Sequence, residues 1–164
     1  MLRKDRFSVA YLARVSVIAA VYAAATVTPP LNSISYGPVQ FRLSEALTVL
    51  AYVSDAAIPG LAVGCFLANL ASPFLAWDLT FGVAATFVAA CLTRVMPHPC
   101  LAPLPPVIIN AVVVAWYVSV LCESPYLVTA GYIAIGEATV CYLLGYPLLI
   151  LLLKNPSLLR LVKG

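Results

Sequence analysis

The chain has 164 residues, 63% of them apolar and only 9% charged, with a mean hydropathy of +1.03 and a net charge of +3. A soluble domain carries about a quarter charged residues, so a water-covered surface is excluded and lipid must meet the apolar majority. The basic residues gather at the two ends and at one joint, which argues against a nucleic-acid surface.

The first apolar run, Ser8 to Val27, is longer than a signal-peptide core and has no convincing Ala-x-Ala exit before Thr28-Pro29-Pro30. It reads as a retained helix 1 over 8–28, followed by a polar loop from Asn32 to Gly37. Helix 2 is expected over 38–54, with Pro38 suited to a first turn and Ser54-Asp55 as its stop. Helices 3, 4, 5 and 6 follow over 57–72, 77–96, 103–121 and 126–153. Pro97 to Pro106 holds five prolines, which remove backbone donors and make a stiff joint that merges into helix 5. The whole chain, 1–164, is thus expected to form one all-α, six-helix transmembrane domain, its length leaving little for a second, soluble one.

Charge sets the orientation. With the amino terminus in the cytoplasm, the inner segments receive Arg3, Lys4, Arg6, Arg94, Lys154, Arg160 and Lys163, and Arg14 falls in the inner half of helix 1. The outer side keeps only Arg42. That asymmetry obeys the positive-inside rule, and both termini are expected in the cytoplasm. Small residues recur at spacing four: Ser16, Ala20 and Ala24 on helix 1, Gly60, Gly64, Ala68 and Ser72 on helix 3, Gly82, Thr86 and Ala90 on helix 4. Such stripes let helices approach closely in lipid, within one chain or against a partner.

In this frame the polar groups gather in the outer half. Arg42 and Glu45 open helix 2, Asn69 closes helix 3, Asp78 opens helix 4, Asn110 lies mid-way along helix 5, and Glu137 lies about ten residues into helix 6. Below them only hydroxyls interrupt the apolar bundle, so the pattern describes a pocket open to the outside. Each residue also has a structural reading. Arg42 and Glu45, three apart, can pair along one helix face; Asp78 can cap helix 4; Asn69 and Asn110 can bond neighbouring helices. Trp77, Trp116 and Tyr117 suit an interfacial belt. Glu137 has no basic neighbour in sequence and needs a cross-helix partner, a proton or a ligand.

The five cysteines are scattered, and His98 is the sole histidine, so neither a metal site nor a Ser-His-Asp set is expected. A phosphate-binding Gly-x-x-x-x-Gly-Lys loop is absent, and the two halves show no convincing inverted repeat. No cofactor is implied. These exclusions favour a binding subunit powered by other proteins.

The run Tyr36-Gly37-Pro38-Val39-Gln40-Phe41-Arg42-Leu43-Ser44-Glu45-Ala46-Leu47-Thr48 resembles the signature of the QueT family. So do Ala57-Ile58-Pro59-Gly60-Leu61, Gly64 to Leu70, Pro105 to Asn110, and Gly136-Glu137. The resemblance implies an S component of an energy-coupling factor (ECF) importer for queuosine precursors in a bacterial cytoplasmic membrane. Its partners would be a coupling transmembrane protein, docked on the small residues Ser16 and Ala20 of helix 1, and two ATPases. The family's usual Ala-x-x-x-Ala has Ser16 in its first place here. The implied ligand is a deazaguanine base. Glu45 or Glu137 would accept its paired N–H groups, and Gln40, Asn69 or Asn110 would donate to its carbonyl. Tyr36, Phe41 or a tryptophan would stack on its ring, and Asp78 or Glu137 would meet an aminomethyl cation. Arg42 belongs to the same group of candidate binding residues. Alternatives are an S component for another vitamin-like ligand, a membrane enzyme acting on a lipid through Glu137 or Asp78, or a non-catalytic assembly subunit.

Overall fold

A backbone in lipid must satisfy its own polar groups, and helices do so within a single segment. The computed structural model describes residues 8–29, 35 and 41–163, and among these every regular element is a helix. They are α1 (Val9–Val27), α2 (Leu43–Tyr52), α3 (Ala57–Asn69), α4 (Leu75–Arg94), α5 (Pro99–Leu121), α6 (Tyr126–Lys154) and α7 (Pro156–Lys163). Ser8 caps α1 by accepting from the Tyr11 amide, 3.2 Å away, and the helix stops before Pro29.

Four of these helices, α1, α4, α5 and α6, are long and apolar enough to cross a membrane. Expected helix 2 differs from the sequence reading. Residues 36–40 lie outside the described residues, and 43–52 wind as a 3-10 helix rather than an α-helix. Its ten residues rise about 2.0 Å each, so they cover roughly 20 Å. The 13 residues of α3 reach about the same length at 1.5 Å each. Expected helix 3 therefore ends early, at Asn69, and Ser72 lies beyond it. Expected helix 4 begins earlier, at Leu75, which puts Asp78 about one turn inside it rather than at its cap. The proline joint does merge into α5: a short 3-10 turn at Pro99–Leu101 leads into the helix, with Pro105 and Pro106 in the next first turn, where missing amides cost little.

Around the bundle α1 packs on α3, α3 on α4, α4 on α5, and α5 on α6, while α2 lies against α1, α4 and α6. The α1–α3 seam is made by missing side chains. A Cβ on Gly64 would lie 2.7 Å from the Tyr22 Cβ and 2.8 Å from the Ala19 carbonyl; one on Gly60 would lie 3.0 Å from Ile18 and from the Val15 carbonyl. The α3 stripe is thus internal packing. The α1 stripe is not: Ser16, Ala20 and Ala24 are exposed. Gly145 of α6 approaches α2 equally closely, its would-be Cβ 2.9 Å from the Ala46 carbonyl. The outer surface carries Leu12, Val21, Phe66, Phe87, Leu127, Ile135 and Leu143, all exposed, as a lipid-facing surface requires.

Candidate functional site

The 3-10 winding of α2 eclipses residues three apart, so Glu45 and Thr48 stack and the Thr48 hydroxyl donates to Glu45 at 3.0 Å. Tyr22 of α1 donates to the other Glu45 oxygen. One turn further along α1, Thr26 donates to Ser44 at 2.7 Å. Arg42, just before α2, donates from Nε to the Ser35 carbonyl at 3.1 Å and brings a terminal nitrogen within 3.9 Å of Asp78.

Asp78 is the centre of a second group. It accepts from Ser72 and from Tyr117 of α5. Asn69 donates to the Asp78 backbone carbonyl at 2.8 Å and to the Cys65 sulfur at 3.3 Å, and Thr86 donates to the same sulfur. A backbone carbonyl only accepts, so the amide orientation of Asn69 is fixed. Its Oδ1 is then a buried acceptor with no hydrogen-bond partner among the described residues. Gly82 keeps this space open, since a Cβ there would lie 3.2 Å from the Asn69 nitrogen and 3.4 Å from Asp78 Oδ1.

In a third group, Asn110 of α5 donates to Glu137 of α6 at 2.9 Å. The Cys141 thiol lies 3.6 Å from the Glu45 carbonyl and 3.8 Å from the Glu137 carboxylate, so α2 and α6 meet through it. Arg42 toward Asp78 and Cys141 between the glutamates join the three groups into one cluster. Three of the chain's six acidic residues lie in it, Glu45 and Asp78 at 1% exposure and Glu137 at 2%. Buried carboxylates without good partners are costly in lipid, and each of these has at least two contacts.

The helices deform at the same level. One π-helical turn opens at Asp78, another at Asn110 and a third at Cys141, one turn after Glu137. Single π turns inside α-helices recur at functional sites, because the extra residue re-aims the side chains around it. In α6 a further cause is visible: Pro147 cannot donate to the carbonyl four residues back, which loosens the ladder just where the π turn sits.

The sequence model of the family described as QueT transporter matches residues 12–154. The chain belongs to the QueT transporter family. It is 39% identical over 74 residues to the "Queuosine precursor transporter QueT" of Lactococcus lactis subsp. cremoris (strain MG1363), a stretch covering 45% of this chain and 43% of that protein. The chain thus aligns with less than half the length of that relative. No solved structure matches it significantly. Membership of a transporter family, with four apolar helices of spanning length, makes this a multi-pass membrane protein.

Of the residues singled out from sequence, the fold gathers Arg42, Glu45, Asn69, Asp78, Asn110 and Glu137 into the cluster. Phe41 is half-buried at the entry to α2, and Tyr36 and Gln40 lie outside the described residues. Asp78 is no helix cap; its side chain joins Ser72 and Tyr117. Tyr22, Thr26, Ser44, Thr48, Ser72 and Cys141 were not expected there. Tyr22 sits in the uncharged stretch of α1 after Arg14, so only its own hydroxyl marked it. Tyr117, which suits an interfacial belt by its sequence position, is fully buried, whereas its neighbour Trp116 is 47% exposed. Trp77, Phe81 and Trp116 pack beside Tyr117, the Trp77 and Tyr117 ring centroids 6.1 Å apart. Ser16 and Ala20 lie apart from the cluster, on the outward face of α1.

Proposed function

We propose that this chain is the substrate-binding subunit, or S component, of an ECF-type importer that captures a queuosine precursor from outside a bacterial cytoplasmic membrane. The observation that carries this reading is the cluster itself: buried acids from α2, α4 and α6, joined by Tyr22, Asn69, Asn110 and Tyr117 from α1, α3 and α5, in a transporter family. In the proposed topology six segments cross or enter the membrane, with α2 and α3 as its short members and both termini inside. Tyr22 and Thr26 near the end of α1, Asn69 at the end of α3 and Asp78 near the start of α4 then all belong to the outer half.

A deazaguanine base suits this chemistry. Its guanine edge presents adjacent N–H donors, and a carboxylate keeps acceptor capacity after one or two hydrogen bonds. Glu45 and Glu137 are the proposed acceptors, and the open Asn69 Oδ1 is a third. Because the Asn69 and Asn110 amide nitrogens already donate within the protein, the ligand carbonyl is assigned to Gln40, with Tyr36 or Phe41 stacking on the ring. Arg42 holds Asp78 in place, and Asp78 meets an aminomethyl cation. The exposed Ser16 and Ala20 of α1 offer a close-approach face to a coupling transmembrane protein, and two ATPases on that partner supply the energy.

Calorimetric titration of the purified protein with 7-deazaguanine, its 7-aminomethyl derivative, and unrelated vitamins tests this. The expected result is tight binding of the deazaguanines only. Selective binding of another vitamin, or of none together with no recruited ATPase, contradicts it.

A further inference from the structure

Away from the polar cluster, α7 and the first half of α1 line a common groove. Ser54, buried at the turn after α2, donates to the Val162 carbonyl at 2.6 Å and pins α7 in place. Leu159 and Val162 pack onto the core, while Leu161 remains 71% exposed. Between the two helices runs a groove of about 290 Å³ lined by Ala13, Arg14, Val17, Ile18, Leu161 and Val162. Apart from Arg14 that lining is aliphatic. Arg14 spends its Nε on the Ala10 carbonyl at 3.1 Å, and its two terminal nitrogens have no partner among the described residues.

Every charged residue of α1, of the end of α6 and of α7 is basic. Arg160 and Lys163 flank the groove residues on α7, and Lys154 closes α6 just before it. Residues 8–29 and 138–164 contain no acidic residue. The nearest acid in sequence to Ser54, Asp55, is held by Arg94 at 2.7 Å. An apolar slot with an arginine in its wall and basic residues beside it matches one amphipathic anion. An acyl chain fills the slot and a phosphate meets the guanidinium, whose planar fork suits phosphate oxygens. A basic peptide would be repelled, and a zwitterionic lipid gains little from the charges.

We propose that the α1–α7 groove is a binding site for an anionic phospholipid, with Arg14 as its headgroup ligand and Ala13, Val17 and Leu161 against its acyl chain. The site is separate from the ligand cluster and does not depend on which base that cluster binds.

Native mass spectrometry of the full chain in detergent, with added dioleoylphosphatidylglycerol or dioleoylphosphatidylcholine, tests this. The wild type is expected to retain the anionic phosphatidylglycerol at least about fivefold better, the worth of one basic residue at an anionic surface. Arg14→Gln should erase that preference, and Ala13→Trp should lower retention of both lipids by blocking the slot. Circular dichroism establishes that each variant folds, and Ala13→Leu replaces Ala13→Trp if the latter does not. Equal retention of the two lipids by the wild type overturns the proposal. So does a preference that survives Arg14→Gln, or a second protein chain held at the groove in place of lipid.

Discussion

The two ends of the bundle both carry charge, and they treat it in opposite ways. At one end Asp55 and Arg94 pair at 2.7 Å with about a third of each side chain exposed, and Arg94 also donates to the Tyr52 carbonyl. At the other, Glu45, Asp78 and Glu137 are 1–2% exposed and spread over three helices, with one cation, Arg42, beside Asp78. The first arrangement ties α2 to α4 at modest cost, since water still reaches both partners. The second buries three acidic residues against one basic one, and three helices open into π turns around them. Packing alone gives no reason for such an arrangement, because apolar side chains would hold helices together more cheaply. A site that must meet a polar, donor-rich ligand gives one.

The largest way to break this contrast is through the seam behind it. Gly64→Leu drives a side chain into Ala19 and Tyr22 and pulls Tyr22 away from Glu45. Overpacking of this kind costs about 1–3 kcal/mol or more, so a clear drop in thermal midpoint and loss of ligand binding are expected together. Asp78→Asn should spare the fold and weaken ligand binding at least about tenfold, because it removes the charge facing Arg42 while keeping the shape. Arg94→Gln is expected to lower stability by less than about 1 kcal/mol, as for other exposed pairs, with ligand affinity unchanged. The smallest effect belongs to Gly131, where a Cβ meets nothing within 4 Å. Gly131→Ala should leave binding alone and shift stability upward by about 0.5–1 kcal/mol, the helical cost of glycine. Equal effects of Asp78→Asn and Arg94→Gln on affinity would remove the contrast.

Much of this was legible in the chain. Composition and breakers gave an all-helical membrane protein, and the helix starts and stops at Val9, Ala57, Tyr126 and Lys154 fall within a residue or two of where proline, serine and charge place them. The acids were legible too, because a charge in an apolar run stands out. The hydroxyls were not. Tyr22 and Tyr117 are common enough in membrane helices that nothing in the sequence separates a buried partner of Glu45 or Asp78 from a residue at the lipid interface. The 3-10 winding of α2 was equally hidden, since its apolar pattern suits either helix and tertiary contacts with α1, α4 and α6 decide between them. The small-residue stripes show the limit most clearly. α1 and α3 carry the same spacing, yet the α3 stripe faces a neighbouring helix while Ser16, Ala20 and Ala24 of α1 are exposed. The amphipathic α7 went unread because its basic residues were taken up by the orientation argument.

The central claim is that the buried carboxylates are there to receive a ligand. Titrating the purified wild type, Glu45→Gln and Glu137→Gln with 7-deazaguanine tests it most directly. Each substitution keeps the side-chain shape but replaces one acceptor oxygen with a donor. The account predicts tight binding by the wild type and a loss of about tenfold or more in each variant, with the helical spectrum unchanged. Affinity that is the same in all three proteins would contradict it.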